Sequence, residues 1–168
     1  MHLMLDIETL STRPDAAVFE VGLVPFDADG PIGELRLLWM PKTGHIDADT
    51  VRWWLMRKEP CALTSVDPRS DEGAAAKALH DYMKAHSEDM LWANPTSFDC
   101  VIVESLLRRY DLPMPIGFRN WRDVRTLRMI AGWPPYPSPR EGSSAHSAID
   151  DCRRQVDTVT ACWKAMQR

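Results

Sequence analysis

Cationic residues are the minority among the charged residues of this chain. Its 20 lysines and arginines are outnumbered by 24 acids, giving a formal net charge of −4, whereas a protein that coats long duplexes normally presents a basic face. That argues against binding along the length of a polyanion, but not against an enzyme that grips a few nucleotides with local cations. Long apolar runs are missing too. Nothing approaches the roughly 20 residues a membrane helix needs, so no membrane partner is expected. Asp6 and Glu8 interrupt the one early apolar stretch, so no signal peptide is expected either. Cys61, Cys100, Cys152 and Cys162 have no metal-ligand spacing, and free thiols in a reducing cytoplasm are the expectation rather than disulfides. Internal repeats, low-complexity tracts and linkers are absent, and 168 residues suit a single domain, 1–168, with a sizeable core.

What is present is a long C-terminal amphipathic stretch, AHSAIDDCRRQVDTVTACWKAM, residues 145–166. Ala145, Ala148, Ile149, Cys152, Val156, Val159, Trp163 and Met166 recur at steps of three and four, the stripe of a helix laid on a core. His146, Asp150 and Asp151 stand off that stripe at its entry. Positions five apart lie about 140° around a helix, so His146 and Asp151 can cooperate only if His146 lies in the preceding loop. Periodicity alone does not choose between Asp150 and Asp151. The loop GWPPYPSPREGSS, residues 132–144, with its prolines and Gly-Ser-Ser end, is expected to leave His146 mobile.

Partners for these groups stand elsewhere in the chain. HLMLD reads as a first strand, and alternation puts Asp6 and Glu8 on one side of it. Like charges that close raise each other's pKa unless a cation lies between them, and hard divalent ions take such all-oxygen sites. A third acid, Asp99, follows the strand LWA and the turn Asn94-Pro95-Thr96, in the first turn of a helix expected to be capped by Ser97. Phe98, Val101, Ile102 and Leu106 are expected to form that helix's buried side.

Asp6-x-Glu8, Asn94-x3-Phe98-Asp99 and His146-x4-Asp151 resemble, in order, the three motifs of the DEDDh 3′ to 5′ exonucleases. The resemblance spans nearly the whole chain, and DIETLSTRPDAAVFEVGLVPFD and TVRWWLMR look most like the small phage and bacterial exonuclease and exoribonuclease branch, which includes the phage exonuclease A type. It implies two Mg²⁺ or Mn²⁺ ions about 4 Å apart, Asp6 bridging them, Glu8 and Asp151 on the ion that carries the water, and Asp99 on the other. It selects Asp151 over Asp150 and makes His146 the general base, a task suited to a side chain titrating near neutrality. Substrate contacts are expected at Thr9, Leu10, Trp53, Trp54, Asn94 and Phe98. The implied substrate is single-stranded RNA or DNA with a free 3′ end, released as nucleoside 5′-monophosphates. A catalytically silent binding or scaffold domain would lack one of the five motif residues, and all five are present; a polymerase-associated proofreading subunit keeps the chemistry and changes the partner.

Taken in order, VFEVGLVPF and ELRLLWM continue from the first strand as an antiparallel meander joined by DADGPIG. Asp49 or Thr50 is expected to cap a helix through VRWWLMRK, followed by a loop over residues 60–71 and a helix AAAKALHDYMKAH. Next come strand LWA, the Asp99 helix, a strand near NWRDV and a helix through TLRMIAG. A meander followed by alternating helices and strands predicts an α/β fold, a mixed five-stranded sheet with helices on both faces, which is the ribonuclease H-like arrangement the family implies. Adjacent helix residues point about 100° apart, so one of Trp53 and Trp54 faces the core and the other is a base platform or an interface residue. Trp39, Trp92, Trp121, Trp133 and Trp163 are expected in core or interface, and this surplus suggests a homodimer. Glu20 reads as structural, and His45, His80 and His86 as surface. Candidate phosphate contacts are Arg52, Arg57 and Lys58 near the tryptophans, and Arg119, Arg122, Arg125 and Arg128 further on.

Overall fold

The computed structural model describes residues 1–58, 61–138, 140–144 and 146–167. Strand β1 (His2–Thr9) divides its side chains by the period of two: Leu3, Leu5 and Ile7 enter one apolar cluster and Met4 another. Asp6 and Glu8 therefore share the face of Met4. Strand β2 (Val18–Phe26) pairs antiparallel with β1, and β3 (Leu35–Leu38) antiparallel with β2, which is the meander. Strand β4 (Met90–Ala93) adds parallel to β1 and β5 (Trp121–Asp123) parallel to β4, giving the order β3-β2-β1-β4-β5.

Parallel neighbours need crossovers. Helices α2 (Glu72–Ala85) and α3 (Thr96–Arg108) supply them, burying Ala76, Leu79, Met83, Ile102, Val103 and Leu106 with Leu3, Leu5 and Ile7. The opposite face is covered by α5 (Ala148–Met166), whose Ile149, Cys152, Val156 and Val159 pack on Met4, Val24, Phe26 and Trp92, with Val124 of α4 (Val124–Ile130). Helix α1 (Ala48–Leu55) closes one end, with Trp54 against Leu10, Ala17 and Phe19. The architecture is thus a mixed five-stranded sheet between helices. None of the helices among the described residues is long and apolar enough to cross a membrane.

Several local expectations are corrected. Helix α1 is capped by Asp47, whose Oδ2 accepts from Thr50 N at 2.8 Å, so it starts earlier than Asp49 or Thr50 would allow. Ser97 does not cap α3: that helix begins at Thr96, whose N–H donates to Asp123 Oδ2 of the neighbouring strand at 3.2 Å. Phe98 and Val101 are half-buried, because α3's closest packing runs through Ile102 and Leu106. The segment after α1 holds a single 3-10 turn, Ala62–Ser65. Trp133 is 58% exposed against the Arg128 guanidinium, so it is not a core residue. His45 is half-buried with its Nδ1 2.9 Å from Ser11 Oγ, and His80 and His86 face Asp81 and Asp89. Helix α5 starts at Ala148, and Ala145, expected at the head of its stripe, lies outside the described residues, as do Pro60 and Pro139 of the expected loops.

The entry of α5 is fixed from the sheet. Ser147 makes no side-chain cap; instead buried Glu20 of β2 accepts from Ala148 N at 3.2 Å with the same oxygen, Oε1, that takes Arg36 Nε at 2.9 Å. Beside it Gly22 lies opposite Asp6, and a Cβ there would fall 2.6 Å from Ala148 C and O. Those are backbone atoms and cannot rotate away. Gly22→Ala should therefore cost about 3 kcal/mol, the upper end of ordinary overpacking, and should lower the denaturant midpoint with an unchanged slope; a midpoint equal to wild type would contradict this packing.

Candidate active site

Three elements deliver one carboxylate or a pair each to a single cleft. The C-terminal end of β1 brings Asp6 and Glu8; the first turn of α3 brings Asp99; the first turn of α5 brings Asp151. Asn94, Phe98, His146, Arg125, Arg154 and Gln155 complete the lining. Ligands in open α/β sheets bind at the carboxyl ends of parallel strands, and this cleft opens where β1 and β4 end.

The electrostatics of the cluster are unfavourable by themselves. Burial, compounded by the charges of Asp99, Glu8 and Asp151, holds the Asp6 carboxyl well above the usual range. Glu8 is pushed up to about 9, first by burial and then by Asp151, Glu20 and Asp99. Burial lifts Asp99 to about 7, against backbone N–H groups that include its own and those of Ile7 and Asn94. Asp151 is also raised by burial, although Arg154 pulls it down. Donor atoms of Glu8, His146 and Asp151 all lie within 4.8 Å of one another. Two unit charges at that separation repel by roughly 3 to 4 kcal/mol at an effective dielectric of about 20. The Arg154–Asp151 contact of 2.6 Å involves an arginine that is 45% exposed and returns at most about 1 kcal/mol. One arginine does not neutralise this cluster; a divalent cation with a preference for oxygen does.

His146 sits two residues before α5 with φ +61°, its N–H donating to Asp151 Oδ2 at 3.2 Å. The loop before it, expected to be loose, is bonded to α5 at Arg140 and Ser144. Arg140 makes a two-pronged pair with Asp157 at 2.7 and 3.0 Å, and Ser144 N donates to Asp150 Oδ2 at 3.0 Å. Asp150 also takes Arg153, which reaches on to Glu34. Asp150 is thus occupied in holding the loop while Asp151 faces the other acids.

A second cleft adjoins the first and shares Ile7, Glu8 and Phe98 with it; Thr9, Thr12, Asp47, Asp49, Thr50, Trp53 and Trp54 line the rest. Trp54 is the inward tryptophan, 7% exposed with its indole N–H on Thr9 O at 2.9 Å, and Trp53 is 44% exposed. Leu10, expected at the substrate, instead packs behind with Ala17 and Phe19, because its side chain leaves the strand end on the core side. Of the expected cations Arg125 reaches the site, donating to Asn94 Oδ1 at 3.2 Å. Arg52 pairs with Asp49, Arg122 bonds Arg119 O and Trp121 O, and Arg128 holds Pro134 O. Two lining residues went unforeseen, Arg154 and Gln155, the latter donating to Asp6 Oδ1 at 2.7 Å. Gln155 lies four residues after Asp151, hence on the same helix face, and that spacing is the signal that could have found it.

The family described as the 3′-5′ exoribonuclease Rv2179c-like domain matches residues 1–163. The exodeoxyribonuclease of Enterobacteria phage T4 is 24% identical over 91% of this chain and 85% of its own length. Among solved structures, exonuclease X in complex with 5′ overhanging duplex DNA superposes with a TM-score of 0.62 at 15% identity, over 100% of this chain and 94% of its own. The nuclease domain of 3′hExo, a DEDDh family member bound to rAMP, gives 0.67 at 11% identity over 96% and 90%. The family model spans nearly the whole chain, so the chain belongs to the Rv2179c-like 3′-5′ exoribonuclease family and is, by that membership, a 3′ to 5′ exonuclease.

Proposed function

We propose that residues 1–168 form one exonuclease domain that removes nucleoside 5′-monophosphates from the 3′ end of single-stranded RNA or DNA by two-metal hydrolysis. The observation that carries this reading is the convergence of Asp6, Glu8, Asp99 and Asp151 with His146 on one cleft. The four carboxylates would hold two Mg²⁺ or Mn²⁺ ions, Asp6 serving both, Glu8 and Asp151 one and Asp99 the other, and the ions would supply an activated water and stabilise the leaving 3′ oxygen. His146 is the residue placed to take a proton from an attacking water. The adjoining cleft takes the terminal nucleoside, with Phe98 and Trp54 as its apolar walls and Thr12 as a hydroxyl donor. Asn94, Arg125 and Arg154 lie where the next phosphate leaves the acids.

Alanine at Asp6, Glu8, Asp99 or Asp151 should abolish shortening of 3′-labelled RNA and DNA oligonucleotides while the protein stays folded, since each removal relieves repulsion. An Asp151→Ala enzyme with full activity would refute the choice over Asp150. His146→Ala should lower turnover about 10² to 10⁴-fold with little change in Mn²⁺ affinity by calorimetry; a matching loss of affinity would make it a ligand instead. Running the matched RNA and DNA strands side by side also identifies the preferred sugar.

The raised carboxyl pKa values dictate a pH dependence. Between the ordinary 4.5 and about 9, a folded Glu8 holds a proton that the unfolded chain has lost, so metal-free stability falls as pH rises through that window. The melting temperature in EDTA should therefore drop from pH 5.5 to pH 8.5, and Mg²⁺ should restore more of it at pH 8.5 than at pH 5.5. A metal-free melting temperature that rises across this range would count against the buried cluster.

A homodimer is proposed on Met129, Ile130 and Trp133, all exposed around the end of α4. A monomeric mass by light scattering at micromolar concentration would oppose it.

A further inference from the structure

His146 adopts a left-handed backbone conformation, φ +61°, which costs a residue other than glycine about 1 kcal/mol or more and persists only where surroundings enforce it. Its N–H and the tethers at Arg140 and Ser144 fix the main chain to α5. The imidazole stands near the Glu8 and Asp151 carboxylates, with a ring nitrogen within 4.8 Å of an oxygen of each. The ring also meets Trp53, with centroids 5.0 Å apart and planes at 87°, and Trp54 beyond at 6.1 Å. Trp53 is itself held, edge against Trp54 at 4.8 Å and with the Arg57 guanidinium 4.8 Å over its ring. Trp54 in turn is pinned to β1 through its indole N–H on Thr9 O at 2.9 Å. The chain of contacts starts one residue after Glu8 and ends on the imidazole.

Resting on the exonuclease reading above, we propose that Trp53 is a positioning residue for His146: it seats the ring of the general base against the metal site, with Arg57 bracing it, rather than serving as the platform for the terminal base. A base platform needs a free aromatic face. Here the Arg57 guanidinium lies over the Trp53 ring, and Trp54 and His146 crowd it at steep interplanar angles of 76° and 87°. The arrangement makes β1 the common reference for the acids and for the base that works with them. An aromatic contact between rings is modest, about 0.5 to 1.5 kcal/mol, but a small misplacement of a catalytic group can lower turnover by about 10²-fold.

Trp53 is 44% exposed, so its replacement should leave the fold intact, which a thermal melt checks. The test uses the full chain with Mn²⁺ and two single strands that differ only in the 3′-terminal residue, one bearing a base and one abasic. A seat predicts that Trp53→Ala lowers kcat by about 10 to 100-fold equally on both strands with KM little changed. It also predicts that Trp53→Phe restores most of the loss, and that Trp53→Ala does nothing further in a His146→Ala background. Loss confined to the base-bearing strand, carried in KM, would overturn the seat and make Trp53 a platform, as would an added loss in the double variant. Nuclear Overhauser contacts between the Trp53 indole and the His146 ring, expected in the wild type, test the contact whatever the activity. Their absence would overturn the seat, whereas a wild type unable to shorten either strand would overturn the exonuclease reading instead.

Discussion

Mutual repulsion among Asp6, Glu8, Asp99 and Asp151 is the constraint on which the rest of the structure depends. Each is held away from solvent by packing that was bought for other reasons: alternation along β1, the first turn of α3 over the end of β4, and the first turn of α5 over Gly22. The acids add charge to places where charge is costly, and the raised carboxyl pKa values of Asp6, Glu8 and Asp99 record that cost. Functional sites are where such local conflicts persist.

The supporting structure reads as a set of devices that keep the acids in register. Glu20 and Gly22 on β2 set where α5 begins, one by accepting the Ala148 N–H and the other by leaving room for its backbone. Gln155 orients Asp6. Asp150 and Asp157 hold down the proline-rich loop, so that His146 arrives next to Asp151 instead of sweeping past it. The Trp54 indole ties α1 to the strand that carries the first two acids. Little of this resides in the acids themselves, which is why residues outside the three motifs matter to the geometry.

Much of the fold was legible because it rests on periodicity. The first two strands, the meander and the amphipathic α5 follow from periods of 2 and 3.6, and the four motif carboxylates stand on the predicted strand and helices, with His146 in the loop before α5. Partners that come from far along the chain were not legible. Asp123 serving α3 in place of Ser97 and Glu20 serving α5 are choices made by tertiary contact among several suitable polar residues. The loop of residues 132–144 misled for the same reason: its prolines and Gly-Ser-Ser end suggest mobility, yet Arg140 and Ser144 find carboxylates on α5. Leu10, expected at the substrate from the resemblance alone, is packed with Ala17, Phe19 and Trp54 beyond the strand end.

The central claim is that this acid cluster acts on a chain end brought to it by a small adjoining cleft, and not on the interior of a strand. A chain with so few cations around the site has little means of holding an internal segment. The most direct measurement gives the enzyme, with Mn²⁺, a circular single strand and the same strand linearised. The linear form should shorten progressively from its 3′ end to mononucleotides while the circle persists; a circle cut as fast as the linear strand is shortened would contradict the account.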